Sequence, residues 1–290
     1  MKTARIFFPV IALLLSGCST IGLVYRNADV YLQHKIYGYT AFTPGQKAAI
    51  DLKVADYMRW HREKALPEYV SFLQNLNGTA QYDGQLGIES AQGLRMQLLN
   101  LYRMTVTPAI RPTADLLSQL DSEQIRILER NFAEDDRKHE AELQAMSRAE
   151  YLDRRADRTL EFAEWLAGDL SDSQKQSLRE MSHALPEVNR IYLKVRESNQ
   201  AQLVRLLDTH AGPDKVAAFL SAWFLTPEQL RTPEQQRQID AFDAGSDQMV
   251  MKLHDSLTQQ QKDHIHERIS GYIDAIHALT SHPGSADTPH

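Results

Sequence analysis

The chain has 290 residues, with 32 Lys and Arg against 38 Asp and Glu, and a single cysteine. So acidic a balance lacks the basic footprint that nucleic acid or anionic headgroups call for, and a lone thiol excludes an intramolecular disulfide and a thiolate metal cluster. The sequence also has no glycine-rich phosphate loop, no Gly-x-Ser-x-Gly elbow and no HExxH helix, which removes common signatures of nucleotide, acyl-transfer and zinc-protease chemistry.

At the start of the chain, Lys2 and Arg5 precede an apolar run from Ile6 to Leu15. About ten apolar residues are half of the roughly twenty needed to span a bilayer, so residues 1–17 read as a removable signal peptide and not as a membrane helix. The tetrapeptide that follows, LSGC from Leu15 to Cys18, resembles the lipobox of bacterial lipoproteins. The resemblance implies cleavage between Gly17 and Cys18, a diacylglycerol thioether and amino-terminal palmitate-type acylation at Cys18. Ser19, where an aspartate would stand in lipoproteins kept at the inner membrane, resembles those sorted to the outer membrane and facing the periplasm. At about 0.8 kcal/mol per buried methylene, several acyl chains hold a protein on a bilayer with no spanning helix, so residues 18–26 are expected to be a lipidated tether. Loss of Lys2 and Arg5 with the signal widens the charge deficit from six to about eight.

Downstream, one phrase recurs: an apolar residue, then Ser, Thr or Asp, and Gln three positions later. It occurs as Thr43/Gln46, Asp121/Gln124, Ser171/Gln174, Thr226/Gln229, Thr232/Gln235 and Thr258/Gln261. A helix begins with unpaired N–H groups; an oxygen-bearing N-cap and a Gln at the third position satisfy them reciprocally. Pro44, Pro227 and Pro233 fall at the first helical position, where the missing N–H costs nothing, and Phe42, Leu120, Leu170, Leu225 and Leu257 are placed to staple the entering chain. The phrase is punctuation between helices.

Apolar residues after the boxes recur at helical spacing, as in Leu178, Met181, Leu185, Val188, Tyr192 and Val195, or Ile265, Ile269, Tyr272, Ile276 and Leu279, and no run alternates with period two. The expected fold is all-α, a multi-helix bundle of long antiparallel amphipathic helices. In chain order the expected elements are a short helix at 29–37, a long one from Pro44 to Asn75 with a kink at Pro67, a loop over 77–84, and a helix from Ile88 to Arg103. A break at TPAIRP from Thr107 and a short helix to Leu120 come next. Two long helices are then expected over 122–167 and 172–209, followed by Pro213–Phe224, Pro233–Ser256 and Gln259–Leu279. Residues 27–280 form the helical domain, with ALPE at Ala65 and again at Ala184 hinting at two related halves, and 281–290 form a polar tail whose composition cannot fill a core.

The L-T-x-x-Q boxes resemble those of the helical periplasmic stress proteins Spy and CpxP. The whole plan of lipobox, FTPGQ, WHREKALPEY and further boxes resembles an uncharacterised family of bacterial helical lipoproteins, which implies the fold and the anchor but no activity.

Chemistry is represented by acid-x-x-His pairs: Asp136/His139, Glu180/His183, Asp263/His266 and Asp274/His277. Ferritin-like bundles use such spacing to aim a carboxylate and an imidazole at metal. His139 falls in line with Phe132 and Leu143, with Asp135 one turn before it, and His61 follows Trp60, so His61, Asp135 and His139 are the metal or acid/base candidates. A buried Asp–His hydrogen bond accounts for the same pattern with no metal. Trp60, Trp165 and Trp223 read as core, and the charge run from Glu134 to Arg158 as a self-paired solvated face. No cofactor is expected. The expected partners are the membrane, through lipid on Cys18, and an envelope protein; a non-enzymatic binding or structural role stands beside a Spy-like chaperone and a metalloprotein.

Overall fold

Five of the six expected boxes start a helix in the computed structural model, which describes residue 22 and residues 24–281. The signal peptide, Cys18 and residues 282–290 lie outside the described residues. Among those described there are eleven α-helices and no strand. They are α1 (Ala28–Tyr37), α2 (Pro44–Trp60), α3 (Leu66–Gln81), α4 (Ile88–Leu117), α5 (Ser122–Gln144), α6 (Arg148–Ala167), α7 (Asp172–Ala184), α8 (Asn189–Asp208), α9 (Pro213–Leu225), α10 (Pro233–Ser256) and α11 (Gln259–Ser281). A π-helical turn, His61–Ala65, joins α2 to α3, and a 3-10 turn, Pro227–Leu230, precedes α10.

The boxes do more than start helices. Thr43, Asp121, Ser171, Thr232 and Thr258 each accept the N–H of the Gln three residues on, and that Gln returns a bond to the cap's own N–H. Four of these boxes also meet in pairs across the fold. Gln124 Nε2 donates to Gln46 Oε1 at 2.6 Å and to the carbonyl of Ala41 at 2.9 Å. Gln174 and Gln261 exchange amide bonds at 3.0 Å, while Gln261 reaches the carbonyl of Asp169 and Gln174 that of Ser256. Ala41, Asp169 and Ser256 all stand two residues before their caps, so the two junctions share one pattern. Only an amide can accept within its own box and donate across the junction; a glutamate accepts only.

The helices pack pairwise: α4 along α9, α6 along α7, α3 along α11 and α5 along α8, with α10 laid on α4 and α7. Two apolar cores result. The first gathers Ile50, Val54, Met58, Leu66, Ile110, Ala114, Ile125, Leu128, Leu203, Val216 and Leu220. The second is smaller, around Leu160, Ala163, Leu170, Leu178, Ile265 and Ile269, and Leu73 and Ile273 pack against both. Buried charge is tied across helices. Arg95 on α4 pairs with Asp247 on α10 at 2.9 Å, and Lys262 on α11 holds the carbonyl of Tyr82 and the carboxylate of Asp83 at 2.8 and 2.9 Å.

Several expected boundaries move, each for a tertiary reason. Thr226 makes no side-chain cap, because the next box follows so closely that one 3-10 turn fills the space. The break at Thr107 is absent: α4 runs through Pro108 and Pro112. Interior proline costs a helix about 3 kcal/mol, and here the offset is packing along α9, with Ile110 and Ala114 buried, Arg103 bonded to the carbonyl of Leu225 and Arg111 paired with Asp214. The loop expected at Asn77 is helical to Gln81, since Ala80 is buried in the second core and His254 Nε2 binds the Thr79 carbonyl at 3.0 Å. The long helix expected over 122–167 divides at Ala145–Ser147, where Ser147 and Glu150 form a box with a glutamate in place of Gln. The one expected over 172–209 divides at Leu185–Val188. Gly168, with φ of 77°, closes α6 in a conformation that side chains disfavour.

Candidate functional site

The strongest concentration of perturbed chemistry surrounds His61. This residue opens the π-helical turn, and such turns are frequent at functional sites. The turn sets the imidazole between Tyr25 and Tyr69, with Tyr57 tilted against it and Trp60 meeting it edge-on. Nδ1 lies 2.9 Å from the Tyr25 hydroxyl and Nε2 lies 3.2 Å from that of Tyr69. The Tyr69 hydroxyl is in turn 2.7 Å from Thr105 Oγ1, which donates to the Leu101 carbonyl at 2.8 Å.

Counting donors assigns the protons. Thr105 spends its hydrogen on Leu101 and therefore accepts from Tyr69; Tyr69 then accepts from Nε2–H, and Nδ1 accepts from Tyr25. The result is a one-way relay, Tyr25 to His61 to Tyr69 to Thr105 to the backbone of α4. Burial pushes His61 down to about 4 and Tyr25 up to about 12, and raises Tyr57 and Tyr69 as well. The imidazole is thus neutral at pH 7, with its lone pair and its proton both engaged.

The second constellation is centred on Arg196 of α8. Its guanidinium pairs with Asp136 of α5 in a short contact and lies 3.3 Å from His139 Nδ1. His139 Nδ1 also lies 2.8 Å from the Asp135 carbonyl, and the ring's other nitrogen is Nε2. That Nε2 is buried and has no hydrogen-bond partner. Burial raises the Asp136 carboxyl although Arg196 opposes the shift, and burial with the charges of Asp136 and Glu140 raises Glu197. An open recess of about 340 Å³ adjoins these groups, lined by Ala133, Asp136, Arg137, Glu140 and Glu197.

His61 and His139 therefore have separate partners, and Asp135 meets His139 through its carbonyl and not its carboxylate. Among the described residues no group of three or more His, Cys, Asp or Glu is arranged to hold a metal ion. Of the other acid-x-x-His candidates, His183 pairs with Asp153, and His266 meets Asn77. The tryptophans lie at the core's edge, half-buried and each in contact with another aromatic ring, Trp165 additionally under Arg268. Sequence reading overlooked Tyr25, Tyr69 and Thr105, which no spacing rule connects, and Arg196, which lies 57 residues from His139.

These features define an all-α bundle whose polar interior is organised as hydrogen-bonded clasps between helices. The chain belongs to a family of unknown function, DUF6279, whose family model matches residues 38–237. No curated protein and no solved structure matches it.

Proposed function

We propose that the protein is a lipid-anchored component of the bacterial cell envelope, held through Cys18 at the periplasmic face of the outer membrane. Its helical domain serves there as a binding or structural module and not as an enzyme. LSGC at Leu15–Cys18, after a short apolar run, supports the anchor. Among the described residues no helix is long and apolar enough to cross a membrane, so on this reading the acyl chains supply the affinity. The observation that carries the non-catalytic role is the relay at His61: both ring nitrogens are consumed by tyrosines of the same chain, leaving neither a base nor a ligand to offer.

Fractionation with labelled palmitate tests the anchor. The wild type should label and sediment with membranes, and Cys18→Ala should do neither as a processed species. A processed, unlabelled and soluble wild type would refute the reading. One observation favours a different role, the unpartnered Nε2 of His139 beside Asp136 and Arg196. Metal analysis of protein purified without chelators or a histidine tag decides it: near-stoichiometric metal that disappears in His139→Gln would replace the binding-module reading with a metalloprotein.

A further inference from the structure

Helix α1 is apolar on both sides. Its inner side sets Ala28, Leu32, Ile36 and Tyr37 against the first core, next to buried Tyr25. Its outer side leaves Val30 60% and Tyr31 50% exposed, with Val24 45% exposed about two turns earlier. The charges on that outer side are of one sign. Arg26 and Lys35 are exposed, as is His34, while the only acid between residues 24 and 39, Asp29, is half-buried. Lys35 lies over the Tyr31 ring at 5.6 Å, and exposed Lys47 lies over the ring of Tyr37 at the helix's last residue. Of the acids on neighbouring helices, Asp51 accepts from the Tyr37 hydroxyl and Asp135 stands near Tyr39 beyond the end of the helix. A cationic, aromatic and apolar strip is the reverse of what an acidic chain with 38 Asp and Glu presents on average.

We propose that this outer face of α1 is a bilayer-contact surface for anionic phospholipid, fixing the orientation in which the helical domain rests on its membrane. The placement rests on the lipid-anchor reading: Val24 is six residues from Cys18, a span of at most about 20 Å of extended chain, so an anchored Cys18 keeps this face within reach of the headgroups. Valine side chains and the Tyr31 ring suit the boundary between headgroups and acyl chains, and Arg26 and Lys35 extend their charged ends to the phosphates. Each such cation near an anionic surface is worth roughly a fivefold gain in partition. Two are too few to anchor a soluble protein, but they suffice to orient one already tethered, because the tether makes the contact effectively intramolecular. The face also precedes the family-matched segment, which begins at residue 38, and stands at the end of the domain next to the tether.

Spin labelling of the full acylated chain tests this, because an acylated Cys18 leaves an introduced cysteine as the only free thiol. Val30→Cys, and Val250→Cys on α10 as reference, are labelled on vesicles of phosphatidylcholine with or without phosphatidylglycerol. Relaxation by a nickel chelate is then compared with relaxation by oxygen. On phosphatidylglycerol vesicles the label at residue 30 should lose nickel access severalfold and gain oxygen access, while residue 250 stays open to nickel. Adding Arg26→Gln and Lys35→Gln should restore nickel access at residue 30. Equal nickel access at residues 30 and 250 on anionic vesicles, in protein whose mass shows acylated Cys18, overturns this proposal and leaves the anchor standing. Shielding of residue 30 without vesicles also overturns it, in favour of a second copy as the occupant. A mass showing unmodified Cys18 removes the anchor reading instead and takes this proposal with it, because two cations do not hold an untethered chain on a bilayer.

Discussion

The tetrapeptide ALPE occurs twice, and the protein folds it in two ways. At Ala65–Glu68 the chain stays helical: Leu66 has φ −59° and ψ −39°, although a residue before proline disfavours that region. At Ala184–Glu187 it leaves the helix: Leu185 has ψ 145°, as the proline alone would dictate. The difference lies in the surroundings. Before Pro67 a π turn inserts an extra residue, Leu66 N–H bonds the His61 carbonyl, and the aromatic cage of Tyr25, Tyr57 and Tyr69 holds His61 in place. Before Pro186 the chain ends α7, and Arg155 of α6, itself buried, bonds the carbonyls of Ser182, Leu185 and Pro186. Leu185 is then free to pack against the backbone of α10 at Gly245, closer than any side chain there would permit. One proline is absorbed by widening a helix, and the other by ending it under a guanidinium cap.

The largest expected effect removes that cap. Arg155→Ala takes their donor from the Leu185 and Pro186 carbonyls and leaves that of Ser182 with the Leu185 N–H alone, and charged hydrogen bonds contribute about 1.5–3 kcal/mol each before compensation by water. Denaturant unfolding should show a loss of about 3–5 kcal/mol, with Arg155→Lys recovering only part. A loss under 1 kcal/mol would mean that the chain leaves α7 without Arg155.

The next test acts on the first copy through pH. His61 titrates near 6.5 when unfolded and about 4 when folded, so the folded state prefers the neutral ring. Its contribution is fully present above pH 6.5 and is lost as pH falls from 6.5 towards 4. Allowing for partial exposure, about 2–3 kcal/mol of stability should disappear over that window. His61→Phe cannot titrate and should show a correspondingly flatter stability profile between pH 7 and pH 4. Parallel profiles for the two proteins would show that the cage does not control the imidazole.

Exchanging the prolines themselves should give effects of opposite sign. Pro186→Ala loses the pre-set extended conformation and should cost about 0.5–1 kcal/mol. Pro67→Ala relieves the disfavoured geometry at Leu66, so its stability should be unchanged or higher. Thermal melts of the two variants in one buffer make the comparison, and destabilisation by both would erase the distinction. Effects of similar size belong to the boxes that begin the helices leading into each copy. Thr43→Ala and Ser171→Ala should each cost about 1 kcal/mol, with Ser171 at the upper end because its Gln174 is buried in the amide pair with Gln261. Melts showing no loss in either would remove the capping account of both.

Much of this architecture is local and therefore legible in the sequence. An N-cap oxygen and its third-position Gln lie within one turn, so Thr43, Asp121, Ser171, Thr232 and Thr258 announce their helices without help from the rest of the chain. The apolar period likewise fixes which faces turn inward, and it found Leu178, Ile265 and Ile269 in the second core. Of the candidate site, His61 and His139 were legible as imidazoles on apolar faces. Their partners were not, since Tyr25 is 36 residues from His61 and Arg196 is 57 from His139.

What only the tertiary structure decided is how the ambiguous signals resolve. Prolines 108 and 112 do not break α4 because α9 packs along it, and Asn77–Gln81 stays helical because Ala80 has a core to enter. The third-position glutamines pair because two helix starts meet, and ALPE bends or breaks according to whether an aromatic cage or an arginine awaits it. Capping, periodicity and proline geometry act over about one turn, whereas a local cost of about 3 kcal/mol can be offset only by contacts that form once the distant helices have packed.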